Sequence, residues 1–223
     1  MAAHPSYRPE LDGLRALAVL SVIGVHAEIP GFSGGYLGVD VIFVLSGYLI
    51  TRIIRREIAD GTFSLSRFYE RRARRILPAL LLVALASIPI GWFYLPPHRM
   101  VRFCESLISL LTFSTNFHFY LESGYFTPGA EESGWIHGWS LAVEEQFYLL
   151  FPLAIIALRK RSTATQIAVL AASMVLSFNL AVAVSFSDAE ASFYLLPMRA
   201  WELLAGALVS FGRDYRANSW ASG

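Results

Sequence analysis

Residues 76–95, ILPALLLVALASIPIGWFYL, run for twenty positions without a charged side chain. A helix of that length and composition crosses the roughly 30 Å hydrocarbon core of a bilayer. Five further runs have similar length and apolarity: 11–29, 36–56, 139–158, 166–186 and 193–211. They predict an all-α, polytopic transmembrane helix bundle of about six spanning helices, forming one membrane domain over 1–223. Composition agrees, with 55% hydrophobic and 16% charged residues, against roughly 25% charged in soluble domains. The bilayer is therefore the first partner.

Net charge is +1, which offers no bulk attraction to nucleic acid. The single cysteine, Cys104, excludes an internal disulfide framework, and no cluster has metal-ligand spacing. Residues 14–25 resemble the apolar core of a signal peptide, but HPSYRPELD ahead of them is not basic and no small-x-small cleavage site follows. The run reads as a retained first helix.

A seventh run, 101–121, holds Arg102, Glu105, Asn116 and His118. Basic residues concentrate in cytoplasmic loops, and this bias decides the path. If 101–121 does not cross, 14 of the 18 basic residues fall on one side, Arg99 and Arg102 on the other, and Arg15 and Arg199 within helices. Full crossing would move Arg159, Lys160 and Arg161 outside. The expectation is that both termini are cytoplasmic and that 97–138 is an outer, interfacial or re-entrant segment. Its acids Glu122, Glu131 and Glu132 suit that side.

Ionisable residues inside spans are costly and call for a reason. Arg15 and His26 are eleven residues apart, about 20° from three whole turns, so they share a helix face about 16 Å apart along the axis. Arg15 reads either as a snorkelling anchor beside Asp12 or as part of a site; His26 reads either as a bundle histidine or as a functional one. Five arginines, Arg67, Arg71, Arg72, Arg74 and Arg75, precede the 76–95 run. They are a topology signal and lipid-headgroup sink, or a phosphate site in which Arg72 and Arg75, three apart, clamp one group beside the N-terminus of a helix starting just beyond them.

Glu144 and Glu145 stand in the first turns of the 139–158 run, about 100° apart. Either one pairs with an arginine such as Arg199 while the other reaches outer water, or a carboxylate orients a histidine. His137 is a weaker candidate. Gly35, Gly38 and Gly47, with Ser46, suit close helix packing, Asp40 is expected to be structural, and Arg199 with Glu202 an intrahelical pair.

Five blocks occur in order: YRPELDGLRALAVLSVIGVHA, GGYLGVDVIFVLSGYLIT, FYERRARRILPALLLV, HGWSLAVEEQFYLLFP and YLLPMRAWELLAGALV. Together they resemble the membrane-bound acyltransferase 3 family, which O-acetylates bacterial polysaccharides. Its members are longer, so the chain corresponds to their N-terminal part. The resemblance implies acetyl-CoA or another acyl-CoA as cytoplasmic donor substrate, no metal, and a carbohydrate or glycolipid acceptor at the outer face of the bacterial cytoplasmic membrane. It places its Arg-x10-His pattern on Arg15 and His26, with His26 as catalytic base or transient acyl acceptor, and assigns Arg71, Arg72 and Arg75, with Arg15 at the entrance, to the donor. Glu144 and Glu145 fall in its glutamate block and are expected to be catalytic carboxylates beside His26. The alternatives are an inactive or partner-dependent fragment and a proton-coupled transporter, although no internal repeat of the transporter kind is visible.

Overall fold

A computed structural model describes residues 8–122 and 134–220. The described residues form helices joined by short turns: α1 (Pro9–His26), α2 (Leu37–Ala59), α3 (Leu65–Tyr94), α4 (Pro97–Leu111), α5 (Thr115–Leu121), α6 (Gly138–Leu158), α7 (Thr163–Ser185), α8 (Ala189–Tyr194) and α9 (Leu196–Trp220). Glu131 and Glu132 lie outside the described residues.

Four helices, α2, α3, α6 and α7, are long and apolar enough to cross a membrane. α1 and α9 occupy two more of the expected runs but carry Glu10, Asp12 and Arg15, and Arg199 and Glu202, respectively. Half of the apolar stretch of α2 is buried, against 11% in α3 and in α7. α2 is thus the central post, flanked by α1, α6 and α9, while α3 and α7 present most of their apolar surface outward.

The ends follow from local chemistry. Pro9 opens α1, with Glu10 and Asp12 in its first turn, where acids complement the helix dipole. The Ser64 side chain accepts from the Arg67 backbone N–H at 3.5 Å and starts α3. This corrects one expectation. The helix begins at Leu65 rather than near 76, so Arg72 and Arg75 sit two turns inside it and its N-terminal dipole does not point at them. The cause is that the arginine-rich turns, although not apolar, continue the same helix past the bilayer edge.

The 101–121 run is not one helix. α4 and α5, with 15 and 7 residues, are each shorter than a span needs, and they are separated by Phe113 in the left-handed region, φ 52°. α4 lays Phe103, Leu107 and Leu110 against Ala84 of α3. α5 is fastened by a reciprocal amide pair: Asn116 Nδ2 donates to Gln146 Oε1 at 3.3 Å and Gln146 Nε2 to Asn116 Oδ1 at 2.8 Å. Asn116 is fully buried, so both amides are matched where an unpaired one would be expensive.

Glycine sets the closest approach. A Cβ at Gly47 would collide with the Leu203 carbonyl and one at Gly206 with the Val44 carbonyl, so α2 and α9 touch backbone to backbone. Ser177 of α7 enters the first turn of α9, donating to the Pro197 carbonyl at 2.6 Å and accepting from the Trp201 N–H at 2.9 Å. Gly206→Val is expected to lower stability by about 1–3 kcal/mol, the usual cost of overpacking. Thermal unfolding of the detergent-solubilised protein reads this; an unchanged midpoint would mean that the seam is not tight.

Candidate functional site

Helices α1, α2 and α6 enclose a cavity of about 140 Å³, walled by Val19, Val22 and Ile23, by Val39, Ile42 and Phe43, and by Ser140 and Glu144. Its surface is mostly hydrocarbon, with Glu144 as its acidic group. His26, the last residue of α1, stands one turn beyond Val22.

The His26 ring is held by its own helix. Nδ1 bonds the Val22 carbonyl at 2.7 Å. A carbonyl only accepts, so Nδ1 carries the proton and Nε2 is the basic nitrogen of the neutral ring. The ring meets that of His137 edge to face, with centroids 4.4 Å apart and planes at 82°. His137 immediately precedes the first residue of α6, and its side chain makes no capping bond there. Both histidines are exposed.

Below them, one face of α6 carries His137, Ser140, Glu144 and Tyr148, at helical spacings of three, four and four. Eleven residues span about 16 Å, matching the separation of Arg15 and His26 on α1. Glu144 Oε1 accepts from Ser46 Oγ at 2.5 Å and also from the Tyr148 hydroxyl. The Arg72 guanidinium lies 4.0 Å from the centroid of the Tyr148 ring, where a cation is attracted to the π face. A line of polar groups therefore runs from the α3 arginines, through Tyr148 and Glu144, to the cavity and the two histidines.

The expected site residues separate in this frame. Glu144 lines the cavity, His26 stands one helical turn beyond its lining residue Val22, and Arg72 reaches Glu144 through Tyr148. Glu145, on the neighbouring face, is half-buried, and its Oε1 is buried with no hydrogen-bond partner among the described residues. Arg71 is bound to Glu57 of α2 at 2.7 Å. Arg75 is exposed one turn from Arg72, and Arg15 is half-buried on α1. The suggested pairing of Arg199 with the glutamate pair is absent. Its Nη1 meets Asp40 at 3.3 Å and Glu202 at 2.9 Å, and its Nε donates to the Phe193 carbonyl at 3.0 Å. The expected Arg199–Glu202 pair thus forms and also takes in Asp40.

The structure sets the ring of His137, the weaker candidate, against that of His26 and adds Ser46 and Tyr148, to which the sequence assigned no part in a site. The α6 periodicity could have found Tyr148. Nothing local pairs Ser46 with a glutamate 98 residues away.

The sequence profile described as Acyltransferase domain matches residues 8–223. O-acetyltransferase OatA of Staphylococcus aureus strain NCTC 8325 / PS 47 is 34% identical over 212 residues, 93% of this chain and 35% of the relative. The same figures hold for OatA of strain COL. SAS0844 of strain MSSA476, named only provisionally as an O-acetyltransferase, is 38% identical over 159 residues, 68% of this chain and 25% of the relative. The chain spans between a quarter and about a third of the length of these relatives. No solved structure matches.

Proposed function

Because the chain belongs to the acyltransferase family whose profile covers residues 8–223, we propose that it moves an acyl group, acetyl in the first instance, from a cytoplasmic acyl-CoA to a hydroxyl of an extracytoplasmic carbohydrate or glycolipid. Six helices, α1, α2, α3, α6, α7 and α9, would cross the bacterial cytoplasmic membrane with both termini inside and α4 and α5 at the outer face. The observation that carries this reading is the line from Arg72 through Tyr148 and Glu144 to the cavity below His26. It joins a cationic end suited to phosphates with an imidazole suited to proton transfer.

The donor's diphosphate binds Arg72 and Arg75, whose forks match phosphate oxygens, with Arg15 at the entrance. Its slender thiol arm runs between α1 and α6 over the about 16 Å that separates the two ends of each face. The cavity walls exclude water from the thioester. His26 Nε2 takes the proton of the acceptor hydroxyl as that oxygen attacks the thioester carbonyl. The carbon–sulfur bond breaks, and the imidazolium returns the proton to the departing thiolate, so His26 ends as it began. Glu144, fixed by Ser46 and Tyr148, forms the acidic part of the cavity wall below the imidazole.

Membranes containing the chain, supplied with radiolabelled acetyl-CoA and a carbohydrate acceptor, test this reading. Label should pass to the acceptor, and an inert preparation would sink it. Arg72→Gln is expected to raise the KM for acetyl-CoA by about 10- to 100-fold, the usual worth of a charge-assisted contact, with a smaller change in kcat. An unchanged KM would remove Arg72 from the donor site.

A further inference from the structure

Two guanidinium groups converge on one phenol at the arginine-rich end of the bundle. Arg8 Nη1, just before α1, and Arg52 Nη1, on α2, each donate to the Tyr48 hydroxyl at 3.3 Å. Tyr48 is only 7% exposed, and the Arg52 guanidinium carbon lies 5.6 Å from its ring centroid. Both arginines are half-buried. Neither forms an ion pair with a described carboxylate, unlike Arg56, Arg71 and Arg74. Two like charges are thus gathered on a neutral oxygen. Such an arrangement is repulsive until an anion enters, and arginine forks are shaped for phosphate oxygens.

The position relates this pair to the donor arginines. Arg71 of α3 is ion-paired to Glu57 of α2, and Glu57 lies five residues, about 7.5 Å of helix, beyond Arg52. Arg52 and the Arg71–Arg75 turn therefore occupy the same end of α2. Tyr48 is not among the residues that fix Glu144, so the pair lies beside the polar line rather than within it.

We propose that Arg8 and Arg52 form a subsite for a phosphate monoester dianion, and that the group it takes is the 3′-phosphate of the CoA donor, distinct from the diphosphate met by Arg72 and Arg75. This rests on the donor reading above. Coenzyme A carries two separate anionic groups, and the bundle offers two separate sets of guanidinium forks at one end. The subsite reads the nucleotide end of the donor and leaves the acyl group unread.

Binding of CoA and of 3′-dephospho-CoA to the full chain, in nanodiscs of zwitterionic phosphatidylcholine, tests the assignment without any turnover. The wild type is expected to bind CoA about 10- to 100-fold more tightly than the dephospho form. Arg52→Gln, and independently Arg8→Gln, should bring that ratio near one while leaving dephospho-CoA binding unchanged, which also shows that the variants are folded. A ratio near one in the wild type, or full discrimination in both variants, overturns the subsite alone. If the wild type ignores the 3′-phosphate but is stabilised by phosphatidic acid in the disc, and Arg52→Gln is not, the anion is a lipid head group and the donor assignment fails. If neither nucleotide binds the wild type, the donor reading falls and the subsite falls with it.

Discussion

Replacing His26 with alanine is expected to lower acetyl transfer from acetyl-CoA by about 10²- to 10⁴-fold, the usual contribution of a positioned general base, while the protein still inserts and stays monodisperse. The structural basis for separating these effects is the position of His26. It is the exposed final residue of α1, so its loss opens no core cavity. Acetyl-CoA binding should persist, because the arginines proposed to take the phosphates lie at the other end of the polar line. His26→Gln is the sharper variant, since its amide can keep a bond to the Val22 carbonyl but cannot take a proton. It should be as inactive as alanine. Transfer within a fewfold of wild type in either variant would remove His26 from the chemistry. Loss of transfer together with loss of CoA binding would instead indicate disruption of the bundle.

The largest stability effect is expected at Arg199. Its side chain is 18% exposed, and it is the cation of both Asp40, 33% exposed, and Glu202, 1% exposed. It thus joins α2 to α9 at the end of the bundle away from the arginines. Glu202 Oε2 has no partner among the described residues, so Arg199→Met leaves two carboxylates facing each other in a low-dielectric interior. Breaking a buried pair from one side typically costs about 3–5 kcal/mol, enough to deplete the folded protein in membranes. Neutralising the acids as well, with Asp40→Asn and Glu202→Gln, should restore much of the loss, because the penalty is the uncompensated charge rather than the missing contact. Equal instability of the triple variant would show that packing of Arg199 on Trp139 and Phe193 matters more than its charge.

The Arg199 cluster also shows where the sequence stopped being legible. The spacing of Arg199 and Glu202 predicted their bond within one helix, and the bond forms. Asp40 is 159 positions away, and nothing on either segment specified the meeting. Glu144 is a similar case. Its place in a membrane run marked it as unusual, but its partner Ser46 belongs to another helix. At α3 the fault was different, because reading only the apolar run 76–95 hid the helical turns that carry the arginines. His26 stood out in the sequence and His137 only weakly, and the fold alone brings their rings together.

The sequence by itself determined that this chain is built of apolar helices, because backbone amides and carbonyls immersed in lipid must pair within their own segment. It also determined which side chains are too polar to be there without a task. Only the tertiary structure decided their partners. Those depend on the rotation and depth of each helix about α2, which for α9 are set by the backbone contacts at Gly47 and Gly206, and side-chain packing between segments has no one-dimensional code.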